Sequence, residues 1–61
     1  MTDVDAIMTI ECDENATEED IVAAFQQLIN SGAVWNLQGS YHRAALGLIK
    51  QGLCTGANED A

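Results

Sequence analysis

One segment constrains this chain more than any other. In "NATEEDIVAAFQQLINSG", Thr17 is followed three residues on by Asp20, a carboxylate version of the capping box that marks a helix start. Glu18, Glu19 and Asp20 fill the first turn, where the helix dipole favours anions. Ile21, Ala24, Phe25, Leu28 and Ile29 then recur at helical spacing and form one apolar stripe. Gly32 suits the left-handed residue that closes a helix. The spacing predicts a helix over 18–31 whose apolar face must be covered by something else.

The next segment begins at once. At about 100° per residue, Asn36, Ser40, Arg43, Gly47, Lys50 and Gln51 collect on one narrow stripe. Val34, Trp35, Leu37, Tyr41, Ala44, Ala45, Leu46, Leu48 and Ile49 face the other way. The pattern predicts a helix over 33–51, stopped by Gly52, with Lys50 at the negative end of its dipole. Its apolar arc spans roughly 200°, about twice what one covered face needs. One neighbour is helix 18–31, joined through the tight Ser31-Gly32 turn as an antiparallel hairpin. The other is the N-terminal segment or a second copy of the chain. Gly39-Ser40 is the one place where the helix could break, with Ser40 as a fair N-cap.

The N-terminal "DVDAIMTIEC" fits two patterns. Val4, Ile7, Met8 and Glu11 give a short helix capped by Asp3, whereas Val4, Ala6, Met8, Ile10 and Cys12 alternate as a strand. The tail "TGANEDA" after Cys54 has little to bury and is expected to fray.

Residues 1–61 make one small domain. A chain of this size buries only about 60% of the surface that its unfolded form exposes, and one such core supplies roughly 3–5 kcal/mol. Reinforcement from a metal is poorly supported, because Cys12 and Cys54 lack ligand spacing and His42 is the single histidine. The acidic opening "MTDVDA" is the opposite of a signal-peptide start, so free thiols in a reduced cytoplasm are expected. No apolar run approaches the roughly 20 residues of a membrane span. Self-association is left as the expected reinforcement.

The formal charge of −8 is unevenly placed. Asp3, Asp5, Glu11, Asp13, Glu14, Glu18, Glu19 and Asp20 crowd the first third, and between Asp20 and Glu59 the only charged residues are Arg43 and Lys50. Such a chain has no electrostatic footprint for a phosphate backbone, which disfavours direct nucleic-acid binding. An acidic surface at Asp13, Glu14, Glu18, Glu19 and Asp20 suits a basic protein partner or mimicry of nucleic acid, besides serving solubility and helix initiation.

Six residues of the second segment carry the chemical interest: Trp35, Gln38, Gly39, Tyr41, His42 and Arg43. On a continuous helix Gln38 and His42 lie one turn apart within the apolar arc, where a polar group without partners costs roughly 1–3 kcal/mol. The first reading makes Gln38 a polar pin that fixes register across a two-fold interface, with Gly39 at a close helix–helix contact. The second is a ligand pocket in which Trp35 and Tyr41 stack a base while Gln38, His42 and Arg43 recognise its polar edge. A helix-turn-helix reader built on "INSGAV" is third, and the net charge opposes it. Catalysis has little support: no nucleophile–base pair is legible, and the carboxylates sit in cap or tail positions.

The stretches Asp5 to Met8, Phe25-Gln26, Leu28-Ile29, Gly32, Trp35, Leu37-Gln38-Gly39, Tyr41, Arg43, Ala45, Leu48-Ile49 and Gly52 together resemble a family of very short bacteriophage proteins, often from phages of actinobacteria. The resemblance covers about residues 5 to 54. It implies phage origin, action inside an infected host, and a helical N-terminus, and it carries no assigned activity. His42 departs from the pattern, which has glycine there, and this argues against an essential imidazole.

The reading is an all-α fold: an antiparallel helical hairpin of 18–31 and 33–51 with a short N-terminal helix, completed by homodimerisation into a bundle. The expected function is a non-enzymatic phage accessory protein, needing no cofactor, that binds and inhibits or redirects a host macromolecule. A nucleotide-signal sponge is the alternative. The wide apolar arc generates one prediction, a dimer at micromolar concentration; light scattering that shows a folded monomer at high concentration would refute it.

Overall fold

The helix between Thr17 and Gly32 forms as its sequence dictates. In the computed structural model, which describes residues 2–56, this central helix runs Glu18–Ser31. The Thr17 hydroxyl accepts from the Asp20 amide at 3.2 Å, and the Asp20 carboxylate accepts from the Thr17 amide at 3.0 Å. Gly32 closes the helix at φ 84, a conformation that costs other residues a Cβ clash.

A second capping box starts the chain. Helix α1 runs Asp3–Glu11, so the N-terminal segment is helix and the alternating-strand pattern is not used. Its N-cap is Thr2, paired with Asp5, rather than the expected Asp3. Thr2 combines a hydroxyl acceptor with a carboxylate three residues on, which satisfies two orphan donors instead of one. Asp3 is thereby freed to accept from Gln27 Nε2 of the central helix at 3.2 Å. The central helix is α2.

The predicted helix over 33–51 is two pieces. Ala33–Asn36 form a 3-10 turn, Leu37 and Gln38 are extended, and α3 runs Gly39–Lys50. The N-cap is Gln38, through its backbone and without a side-chain bond, rather than Ser40. The physical reason lies in the width of the apolar arc. An unbroken helix would present roughly 200° of apolar surface to one neighbour that can cover about half of it. The break divides the arc, so that Val34 enters the core directly after the Gly32 turn and Ala45 reaches it from α3. At the far end the sequence reading holds. Gly52 is left-handed at φ 82, its amide bonds Ile49 O at 3.0 Å, and the Leu53 amide bonds Leu48 O at 2.9 Å, a complete Schellman motif.

The fold is all-α, with no strand among the described residues. Helix α2 supplies half of the core, as Ala24, Phe25, Leu28 and Ile29. The other elements give one buried residue each: Ala6 from α1, Val34 from the 3-10 turn, Ala45 from α3, and Cys54 from the turn after it. Alanine at the points where α1 and α3 meet the core lets the helices approach closely. Leu28 is fully buried. Its replacement, Leu28→Ala, is expected to cost about 2–5 kcal/mol, comparable with the whole stability of such a domain. Thr17→Ala is expected to cost about 1 kcal/mol through the lost cap. Urea unfolding followed by helical circular dichroism checks the ranking, which equal losses would contradict.

Candidate functional site

A concave surface lies along one side of α2. Glu18, Val22 and Gln26 follow one another at i, i+4 and i+8, with Glu19 and Ala23 beside them, and Leu53 closes the groove from the turn after α3. The volume is about 370 Å³. Val22, Ala23 and Leu53 supply its apolar lining, and Glu18 and Glu19 line it as well. Leu53 is 45% exposed in this position.

A polar clamp ties the segment that carries Leu53 to α2. The Gln26 carboxamide pairs with the backbone of Thr55 in both directions: Nε2 donates to Thr55 O at 2.9 Å, and Oε1 accepts from the Thr55 amide at 2.8 Å. Gln26 Nε2 also donates to Asn30 Oδ1 at 2.9 Å, which fixes the orientation of the amide. One residue earlier Cys54 is buried, with its thiol aimed at Val22 O at 3.5 Å. Burial raises the Cys54 pKa, and this thiol behaves as a small apolar side chain. Both cysteines are free. Thr55, expected to fray, is therefore tied to α2, while residues 57–61 of the tail lie outside the described residues.

The acidic residues divide by role. Asp20 is occupied in the cap of α2, and Asp13 Oδ1 accepts from the Asn15 amide at 3.0 Å, shaping the loop before that helix. Glu14, Glu18 and Glu19 are exposed, and the latter two belong to the groove.

The six residues singled out in the second segment do not share one site. Trp35 and His42 come together: the rings meet edge to face with centroids 5.7 Å apart, and His42 Nε2 lies 3.0 Å from Trp35 O. Tyr41 points elsewhere, packing on Phe25 at 5.9 Å and donating to the Glu11 carboxylate. Gln38 is exposed in the single chain at the start of α3, where the helix break places it outside the intramolecular core. Gly39 makes no close helix contact within the chain; a Cβ there would meet only the flexible Arg43 guanidinium at 3.8 Å. Arg43 is exposed. Trp35 keeps 38% of its surface in solvent. Val22, Ala23 and Leu53 escaped the sequence reading. Gln26 was visible only as a polar residue beside Phe25, and nothing local pointed to its partner Thr55.

Among the described residues no cluster of three metal-ligating side chains occurs, and no helix is long and apolar enough to cross a membrane.

The Tyr41–Glu11 bond ties the end of α1 to the start of α3. Burial first, then the hydrogen bond and the negative charge of Glu11, push the Tyr41 pKa from 10.0 up to about 12. A raised folded pKa means that this contribution to stability is complete below pH 10.0 and is lost as pH rises through about 12. Tyr41 is the single tyrosine, so tyrosinate absorbance reads it alone. The expected midpoint is near pH 12. Glu11→Gln removes the charge and keeps an acceptor, so its midpoint should fall but stay above the ordinary tyrosine value, because burial is the larger cause. A wild-type midpoint at the ordinary value would show that the bond does not form.

No curated protein and no solved structure matches the chain. Residues 1–60 match a family described as a domain of unknown function, DUF7417. This chain, from its first capping box through the clamp at Thr55, belongs to that family.

Proposed function

We propose that this chain is a non-enzymatic binding module that engages a basic protein partner and so inhibits or redirects it. The observation that supports the reading is the junction of an apolar groove with exposed carboxylates on one side of α2. Glu18 and Glu19 flank the groove, and Asp13 and Glu14 lie in the loop leading into the helix. A formal charge of −8 attracts a cationic surface over distances approaching a Debye length, about 8 Å at physiological ionic strength. The resemblance to short phage proteins supplies the setting: the cytoplasm of an infected host, with a host protein as target. Val4 and Met8, 68% and 54% exposed and one turn apart on α1, favour homodimerisation as an accompanying property.

The nucleotide-sponge reading is second, because Trp35 and Tyr41 are engaged in separate contacts and do not frame a common slot. The two readings part in one pair of measurements. A sponge melts higher with its nucleotide, gaining about 2.7 kcal/mol at one hundred times Kd. A protein-binding module shows no shift with a nucleotide panel. It captures a host protein that a variant neutralised at Asp13, Glu14, Glu18 and Glu19 releases, and added salt weakens the capture. A nucleotide-dependent rise in melting, or capture indifferent to the four substitutions, would sink the proposal.

A further inference from the structure

We infer that the groove on α2 takes an apolar side chain from a cationic amphipathic helix, whose lysines or arginines one turn away meet Glu18 and Glu19. The inference rests on the binding-module reading and deepens it by naming the partner's chemistry.

Three features of the groove point to this occupant. Its lining is mostly apolar, so affinity there comes from a side chain removed from water rather than from hydrogen bonds. Its lining carries one sign of charge: Glu18 and Glu19 line it, both exposed, whereas Asp20 is engaged in the cap of α2. Charge complementarity therefore selects a cation beside the apolar group. The third feature is length. From Glu18 to Gln26 the row covers eight helical steps, roughly 12 Å. That matches about two turns of a partner helix laid along α2, which reads a groove through anchors three or four residues apart. The described residues contain no strand to which an extended peptide could be added.

The clamp makes the site pre-formed. Gln26 holds Thr55 through two backbone bonds and Cys54 is anchored in the core, so Leu53, the preceding residue, is positioned before a partner arrives. Binding then avoids part of the cost of ordering a loop.

The test uses the full chain and two synthetic helical peptides. One carries leucines at helical spacing among lysines; the other has the same lysines with serine in place of leucine. Calorimetry at physiological salt should show the leucine peptide binding about tenfold more tightly, the value of one largely buried aliphatic side chain. Leu53→Ser, at a half-exposed position, and Ala23→Gln, which fills the groove from an exposed one, should each erase that advantage without loss of helix by circular dichroism. Glu18→Gln with Glu19→Gln should weaken the leucine peptide more than Asp13→Asn with Glu14→Gln, an equal change of charge. Equal binding of the two peptides, indifference to both of these apolar-site variants, or equal effects of the two neutralised pairs would overturn the groove assignment. If a variant neutralised at all four positions still loses binding in that case, the broader reading stands. Failure of both peptides to bind overturns both. A free-protein dimer that Leu53→Ser or Ala23→Gln dissociates would make a second copy the occupant and overturn the cationic helix.

Discussion

Removal of water from the apolar stripe of α2 is the interaction on which the rest depends. Ala24, Phe25, Leu28 and Ile29 are buried only because α1, the 3-10 turn and α3 each lay a small or branched residue against them. At about 25 cal/mol per Å² of apolar area, a core of this size leaves little excess over chain entropy. Each covering element is therefore needed, and none is replaceable by the others.

Because apolar area is scarce, polar groups do much of the positioning. Two capping boxes start α1 and α2, and two left-handed glycines end α2 and α3. Long-range bonds then fix the arrangement: Gln27 to Asp3 joins α2 to α1, Tyr41 to Glu11 joins α3 to α1, and Gln26 to Thr55 joins α2 to the segment after α3. Among the described residues no buried side-chain polar atom is left without a partner, as a marginal core requires, since each would cost roughly 1–3 kcal/mol.

The same economy shapes the surface on which the proposed function rests. Carboxylates cannot enter so small a core, so they gather in caps and on the outside, where their mutual repulsion opposes compaction. Where the acidic start of α2 meets Leu53, carboxylates adjoin apolar side chains. The cationic partner proposed above would relieve the repulsion and cover the apolar side chains in one step.

The sequence by itself determined the bounds of α2, its Thr17–Asp20 cap, and the stops at Gly32 and Gly52, because each rests on residues within one turn of one another. The separation of acidic from apolar segments was equally legible. The division of segment 33–51 was decided by tertiary structure: helical periodicity counts apolar residues around an axis but does not register how much surface a neighbour can cover. Val34 enters the core directly after the Gly32 turn, the axis breaks at Leu37-Gln38, and Gln38 stands at the exposed start of α3 rather than within a continuous helix. The groove was likewise beyond local reading. Gln26 and Thr55 are 29 residues apart, and only the packing of α3 and its closing turn against α2 brings that amide to that backbone and sets Leu53 over Val22 and Ala23.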